Sequence, residues 1–191
     1  MQKSGLDEAG RGALAGPLVA AAVVINEPIE KAIRERRERI KDGKLLKPAQ
    51  REKIYSLIKD VGAEIFIEII SARQINNHGI GWANKEIFRR LIKKVSADSY
   101  IVDGNLKIRK AQSIVDADAT VLEVILAGIV AKVARDALMR EIHDGFPHYG
   151  WSVNKGYGTK SHIEALKQYG PCRYHRSVFV TTALSSVGPA R

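Results

Sequence analysis

The sequence predicts a mixed α/β fold, a central sheet flanked by helices with a helical C-terminal part, and three observations predict it. Apolar runs rich in Val, Ile and Ala, above all at Leu18 to Ile25 and Ala63 to Ile70, read as strands of a buried sheet. Between and after them lie segments whose apolar residues recur three and four apart, the period of a helix face. Several strand-like segments end on Asp-bearing turns, and loops at the C-terminal ends of strands are where α/β proteins build their sites.

In chain order, Ser4 to Asp7 is a short strand leading into a Gly-rich turn, and Leu18 to Ile25 is the second strand. Ile29 to Lys41 is charge-dense, with Glu30/Arg34 and Glu35/Arg39 at the spacing of stabilising helix pairs, so it is expected to be a solvated helix. Lys47-Pro48 opens a second helix, because proline is tolerated in the first turn, and Ile54, Leu57, Ile58 and Val61 form its apolar stripe. After the strand from Ala63 to Ile70, two helical stretches are broken near Gly79 and Gly81, the second running from Asn84 to Val95. Ser99 to Val102 is a strand ending at Asp103-Gly104, and Ser113 to Val115 is another ending beside Asp116 and Asp118. Thr120-x-x-Glu123 reads as a capping box for a long helix reaching about His143, stopped by Gly145 and Pro147. Ser161 to Tyr169 is the last predicted helix, ended by Gly170-Pro171.

The 191 residues suffice for one sizeable core, and the expectation is a single catalytic domain over 1–191, with a helical segment from about 145. Thirty-one Lys and Arg against 21 Asp and Glu give a formal charge of +10. Such a surface attracts polyanions and releases their condensed counterions, so nucleic acid is the first partner to consider, although a basic balance also serves solubility alone. Cys172 is the only cysteine, which excludes an intramolecular disulfide and a Cys-rich zinc site and fits a reducing, cytoplasmic setting. The start, Met1-Gln2-Lys3-Ser4, has no signal-peptide character, and the apolar run from Val121 to Val133 is interrupted by Glu123 and Lys132, so no membrane association is expected.

Asp7, Glu8, Asp103 and Asp118 stand where strands yield to loops or helices. Cutting a phosphodiester with water needs a nucleophile near neutral pH and stabilisation of the leaving oxygen, and two divalent ions roughly 3.5–4 Å apart supply both. Carboxylate oxygens suit Mg2+ or Mn2+. Asp before Gly is equally a common turn residue, and Asp before a helix a common cap, so spacing alone leaves both readings open. Asp7 and Glu8 also pose a geometric problem: neighbours in a strand point to opposite faces, so both serve one site only if the strand ends or twists there. His143 and His148 lack the spacing of helical zinc ligands.

Gly5-Leu6-Asp7-Glu8-Ala9-Gly10-Arg11-Gly12 with Gly16-Pro17 resembles the opening of ribonuclease HII, the prokaryotic type 2 ribonuclease H. The resemblance continues in order through Asp103-Gly104-Asn105, Asp118, Ala131 to Asp136, Lys155-Gly156-Tyr157-Gly158-Thr159 with His162, and His175-Arg176. It implies a ribonuclease H-like fold and a four-carboxylate centre of Asp7, Glu8, Asp103 and Asp118 binding Mg2+ or Mn2+. Asp118 is preferred to Asp116 by its interval to the Lys132-to-Asp136 block, and Asp136 is read as structural, paired with a cation. The resemblance further implies that Gly10, Arg11 and Gly12 meet the ribose 2′-hydroxyl and adjacent phosphates, that Tyr157 packs on the next, deoxy, sugar, and that Lys44, His175 and Arg176 contact substrate. Glycines allow close backbone approach, and the 2′-hydroxyl is what separates RNA from DNA. The implied activity is endonucleolytic cleavage 5′ of ribonucleotides, in RNA–DNA hybrids and at single ribonucleotides in duplex DNA, by a monomer, with 3′-hydroxyl and 5′-phosphate products.

The chain departs from the family pattern at Asp42-Gly43-Lys44-Leu45-Leu46, where a serine and a lysine are missing, at Gly128, which stands for a usual serine, and at Ser177-Val178. Three rivals remain: a hybrid-binding protein that does not cut, a nuclease of the same broad fold acting on DNA junctions, and ribonuclease HIII. Gly10-Arg11-Gly12 and Tyr157 oppose the second. Against the third, the chain starts almost at its first strand and carries Asp118 where ribonuclease HIII has a Glu.

Overall fold

The computed structural model describes residues 1–36, 40 and 46–186 of the chain. Strands β1 (Lys3–Ala9), β2 (Leu18–Ile25), β3 (Glu64–Ile70), β4 (Ser99–Asp103) and β5 (Gln112–Ile114) form one mixed sheet in the order β3-β2-β1-β4-β5. β2 pairs antiparallel with both β1 and β3, whereas β4 pairs parallel with β1 and with β5. Every residue of β2 is buried, as a strand covered on both faces must be. Leu18, Ala20, Ala22 and Val24 face one side with Leu6; Ala21, Val23 and Ile25 face the other, in the period-2 alternation of a strand.

The first side is covered by α3 (Ala72–His78) and α4 (Ile80–Lys94), which bury Ile75, Ile87, Phe88 and Leu91. The second is covered by α1 (Glu27–Glu35), α2 (Pro48–Asp60) and α6 (Leu122–Gly145), with α5 (Ala117–Thr120) leading into α6. Ile125, Leu126, Ile129, Val130 and Ala131 of α6 are all buried, so this helix is apolar around most of its circumference, the signature of a central helix. Beyond it, α7 (Trp151–Asn154), α8 (Lys160–Tyr169) and α9 (Ser177–Ser186) gather with Leu14, Ala15 and Met139 around Tyr149 and Trp151 in a third cluster. Among the described residues no helix is long and apolar enough to cross a membrane.

Local expectations needed correction where tertiary partners intervene. The capping box at Thr120 does not form: Thr120 ends α5 and donates its hydroxyl to the Asp116 carbonyl, and α6 begins at Leu122 with no side-chain cap. The helix expected from Asn84 starts at Ile80, the break falling at Gly79 alone (φ 82°). α1 begins earlier than predicted, capped by the Asn26 side chain, and its Glu30–Arg34 pair forms at 2.8 Å. The Glu35/Arg39 pair lies outside the described residues. α9 lies beyond the last predicted helix, which was expected to end at Tyr169.

Candidate active site

Unequal pairing along β1 creates the site. β1 pairs with β4 only as far as Leu6 opposite Val102, but with β2 as far as Ala9 opposite Val19. Asp7, Glu8 and Ala9 therefore have one uncovered edge, beside the C-terminal end of β4, where Asp103 stands. Of the two expected ways for both to reach one site, an end to the strand at Asp7 is not what happens: β1 continues to Ala9, and it is its pairing with β4 that ends at Leu6. With no strand on that edge, Asp7 and Glu8 leave opposite faces of the sheet yet line one cavity of about 350 Å3 together with Asp103 and Asp118. Asp118 arrives on α5 and is buried, its N–H donating to Asp103 Oδ1 at 3.3 Å. Asp116 stays outside the cavity, exposed, in the left-handed conformation that turns the chain into α5.

Gly10, Arg11 and Gly12 continue from β1 along the cavity wall, which Ile125, Gly128, Lys132 and Tyr157 complete. Arg11 Nη1 lies 3.9 Å from Glu8 Oε1. The half-exposed Tyr157 ring has Arg135 Cζ at 5.2 Å and Lys132 Nζ at 5.7 Å from its centre. Asp136, read as structural, accepts from Lys132 at 2.5 Å and lies 3.8 Å from Arg51. Lys44 lies outside the described residues. His175 and Arg176 do not line the cavity: both are buried, and the direct substrate contact expected of them finds no exposed group.

The electrostatics are those of crowded acids. Burial first, and then the adjacent Glu8 carboxylate, push the Asp7 carboxyl well above the usual range, with Asp103 and Asp118 adding to the effect, while the Glu8 N–H, donating to Asp7 Oδ1 at 2.7 Å, opposes it. Among the described residues no three acid, cysteine or histidine side chains already enclose a metal. The donor set nonetheless fits a hard divalent cation: all donors are carboxylate oxygens, and positive charge among them would offset the repulsion that burdens Asp7.

Gly128 has a role that its place in the sequence did not reveal. A Cβ built there would lie 2.3 Å from Asp7 Oδ2, so the carboxylate occupies the notch a side chain would fill. Gly128→Val is expected to force Asp7 to another rotamer and to lower cleavage by about tenfold or more, the cost of misplacing one reacting group by about an ångström. Steady-state kinetics beside a thermal melt check this; full activity in a well-folded variant would show that Asp7 needs no notch.

Behind Tyr157 lies a buried histidine pair. His162 Nε2 accepts from Trp151 Nε1 at 3.1 Å and lies 3.1 Å from His175 Nε2, while His162 Nδ1 meets the Tyr157 carbonyl at 2.9 Å. His175 Nδ1 accepts from Cys172 N at 2.9 Å, so its proton sits on Nε2 and is given to His162. Both rings are thus satisfied as neutral groups. Burial, then His162, holds His175 down to about 4, and burial lowers His162. Between about pH 6.5 and 4 the unfolded chain takes up protons that the folded chain refuses, so stability should fall as pH drops through this window. Melting temperatures from pH 7 to 4 measure it, and His175→Gln should flatten the dependence.

Sequence reading missed Arg135, which is fully buried and lies in the quoted Ala131-to-Asp136 block. Its Nε donates to Pro17 O at 3.0 Å, Nη2 to Ala15 O at 3.1 Å and Nη1 to Lys155 O at 2.8 Å, tying the loop after β1 to the Tyr157 loop. A buried arginine bonded only to carbonyls leaves no periodic signal in a sequence.

A family model described as Ribonuclease HII matches residues 4–182. A ribonuclease HII of Clostridium botulinum is 38% identical over 187 residues, 95% of this chain and 68% of that protein. Among solved structures, the ribonuclease H2 of Pyrococcus horikoshii OT3 matches with a TM-score of 0.79 at 25% identity, over 100% of both chains. The Bst-RNase HIII solved in complex with Mn2+ has the same fold, with a TM-score of 0.78 at 18% identity, covering 100% of this chain and 71% of that one.

Proposed function

Because the chain belongs to the ribonuclease HII family of hydrolytic endonucleases, we propose that it cuts the phosphodiester on the 5′ side of a ribonucleotide, in RNA–DNA hybrids and at single ribonucleotides embedded in duplex DNA. The observation that carries this reading is the meeting of Asp7, Glu8, Asp103 and Asp118 with Gly10, Arg11, Gly12 and Tyr157 around one cavity.

In this reading the four carboxylates hold Mg2+ or Mn2+, and the Mn2+ in the solved Bst-RNase HIII supports a divalent requirement. When bound, two such ions supply a nucleophile near neutral pH and charge stabilisation for the departing 3′ oxygen. The chain's own groups do the rest. Gly10 and Gly12 admit a sugar close to the backbone, the Tyr157 ring offers an apolar face to the deoxy sugar beyond it, and Arg11 and Lys132 set positive charge beside the phosphate. Lys132 is held in place by Asp136, so its ammonium stands pre-oriented. His175 and Arg176 act as positioning residues, not as substrate contacts. The working form is taken to be a monomer in a reducing compartment.

End mapping tests the chemistry. A duplex carrying one ribonucleotide, labelled at either end, is incubated in Mg2+, in Mn2+ and with chelator. The expected fragments end in a 3′-hydroxyl and begin with a 5′-phosphorylated ribonucleotide, and chelation removes them. A 2′,3′-cyclic phosphate end would refute the mechanism. Salt-dependent binding without any product would favour the hybrid-binding rival.

A further inference from the structure

We propose that buried Arg176 is a positioning residue that sets the orientation of the Arg11–Gly12 peptide, aiming the Gly12 N–H at the substrate. The inference rests on the reading of the cavity as a ribonucleotide site.

Gly10 to Ala13 form a turn, with Ala13 N donating to Gly10 O at 3.3 Å and Arg11 and Gly12 at its centre. The Arg11–Gly12 peptide is the unit whose rotation by about half a turn distinguishes a type I from a type II turn. A type II turn needs positive φ at its third residue, which glycine adopts freely. Gly12 therefore leaves both turns open to the chain, yet neither Arg11 nor Gly12 has positive φ, and the signs are those of type I. Something outside the turn selects one of the two.

Arg176 supplies that selection. It is 0% exposed, and its Nη1 donates to the Arg11 carbonyl at 2.9 Å. Nε and Nη2 both donate to the Gly16 carbonyl, at 3.1 and 2.9 Å, and its own N–H donates to Leu14 O at 2.8 Å. The guanidinium is thus fastened to the base of the loop and reaches up to one carbonyl at its tip. In a trans peptide the carbonyl of residue i and the N–H of residue i+1 point in opposite directions. Drawing the Arg11 carbonyl toward Arg176 turns the Gly12 N–H away from it, and Gly12 is itself part of the cavity lining. Flipping the peptide would bury that N–H against a cation and leave a guanidinium hydrogen unpaired, which costs more than either turn's intrinsic preference. A Cβ at Gly12 would meet nothing within 4 Å in the protein, so its lack of a side chain is not required by packing.

The test is spectroscopic first and kinetic second. In the whole wild-type chain, amide NMR should show a strong Arg11–Gly12 amide-to-amide contact and a weak Arg11 Hα to Gly12 amide contact, the type I pattern. The reverse would overturn the proposal whatever any variant does. In Arg176→Met the Arg11 Hα to Gly12 contact should strengthen, and kcat/KM on a duplex with one ribonucleotide should fall at least tenfold, mainly through KM, while amide dispersion elsewhere is retained. Arg176→Lys, which keeps the charge, should lie between, and it serves if the Met variant does not fold. An unchanged contact pattern in a folded variant, or kcat/KM within twofold of wild type, would refute the assignment. If the wild type cuts no ribonucleotide-bearing duplex, the functional reading fails, and the NMR pattern still decides how the peptide faces.

Discussion

Asp7→Asn and Asp118→Asn are each expected to lower metal-supported cleavage on the order of a thousandfold, because several kcal/mol of transition-state charge stabilisation depend on ligands of full charge. Asn preserves size and removes only the charge, so the loss reports chemistry and not packing. For Asp7 the stability effect should have the opposite sign. Its carboxyl is held well above the ordinary range by burial and by Glu8, so ionising it in the folded chain is unfavourable. Asp7→Asn should therefore raise the melting temperature in chelator near neutral pH. That gain should vanish in acid, where the parent Asp7 is protonated in both states. Added Mg2+ should stabilise the parent and not the variant. Near-normal turnover by both variants would reject the catalytic assignment.

Discrimination against DNA is the second large effect. A site built to hydrogen-bond a hydroxyl rejects the analogue lacking it by on the order of 10^4-fold, because its polar groups are left unpaired. A duplex with one ribonucleotide should be cut at that margin over an all-DNA duplex of identical sequence, in Mg2+ and in Mn2+. Tyr157→Ala should lower kcat/KM by about tenfold on the single-ribonucleotide duplex, the worth of one aromatic stacking contact. The loss should be smaller on a continuous hybrid, where the next sugar carries a hydroxyl that the ring does not favour. Equal cutting of both duplexes would remove the 2′-hydroxyl from the account altogether.

Some elements were legible because their cause is local. β2 and β3 announce themselves by apolar runs of strand length, and α4 by its stripe of Ile87, Leu91 and Ile92, since periodicity is imposed by the backbone of the segment itself. The acids were legible as residue types at strand ends. α9 was not: Ser177–Ser186 is rich in Val, Thr and Ser, residues that favour strands or caps over helix interiors. Its start is secured from about a hundred residues away, where Asn76 Oδ1 accepts from Ser177 N at 2.9 Å and Asn76 Nδ2 donates to His175 O at 3.0 Å. Val180 is then buried among residues of the third cluster. A cap supplied by a distant side chain has no signature in the segment it caps.

By itself, then, the sequence determined the chemistry available: hard oxygen donors, a glycine-flanked arginine, an aromatic ring and a strongly basic surface, all properties of side chains and of short spacings. Only the tertiary structure decided how they act together. The pairing of β4 with β1 ends at Leu6, which lets Asp7 and Glu8 share a cavity from opposite faces. Gly128 of α6 gives the Asp7 carboxylate its place, and Arg135 and Arg176 hold the backbone around it. Each of these contacts joins segments remote in the chain, and such contacts form only when the whole core buries enough apolar surface to offset the entropy of closing those loops.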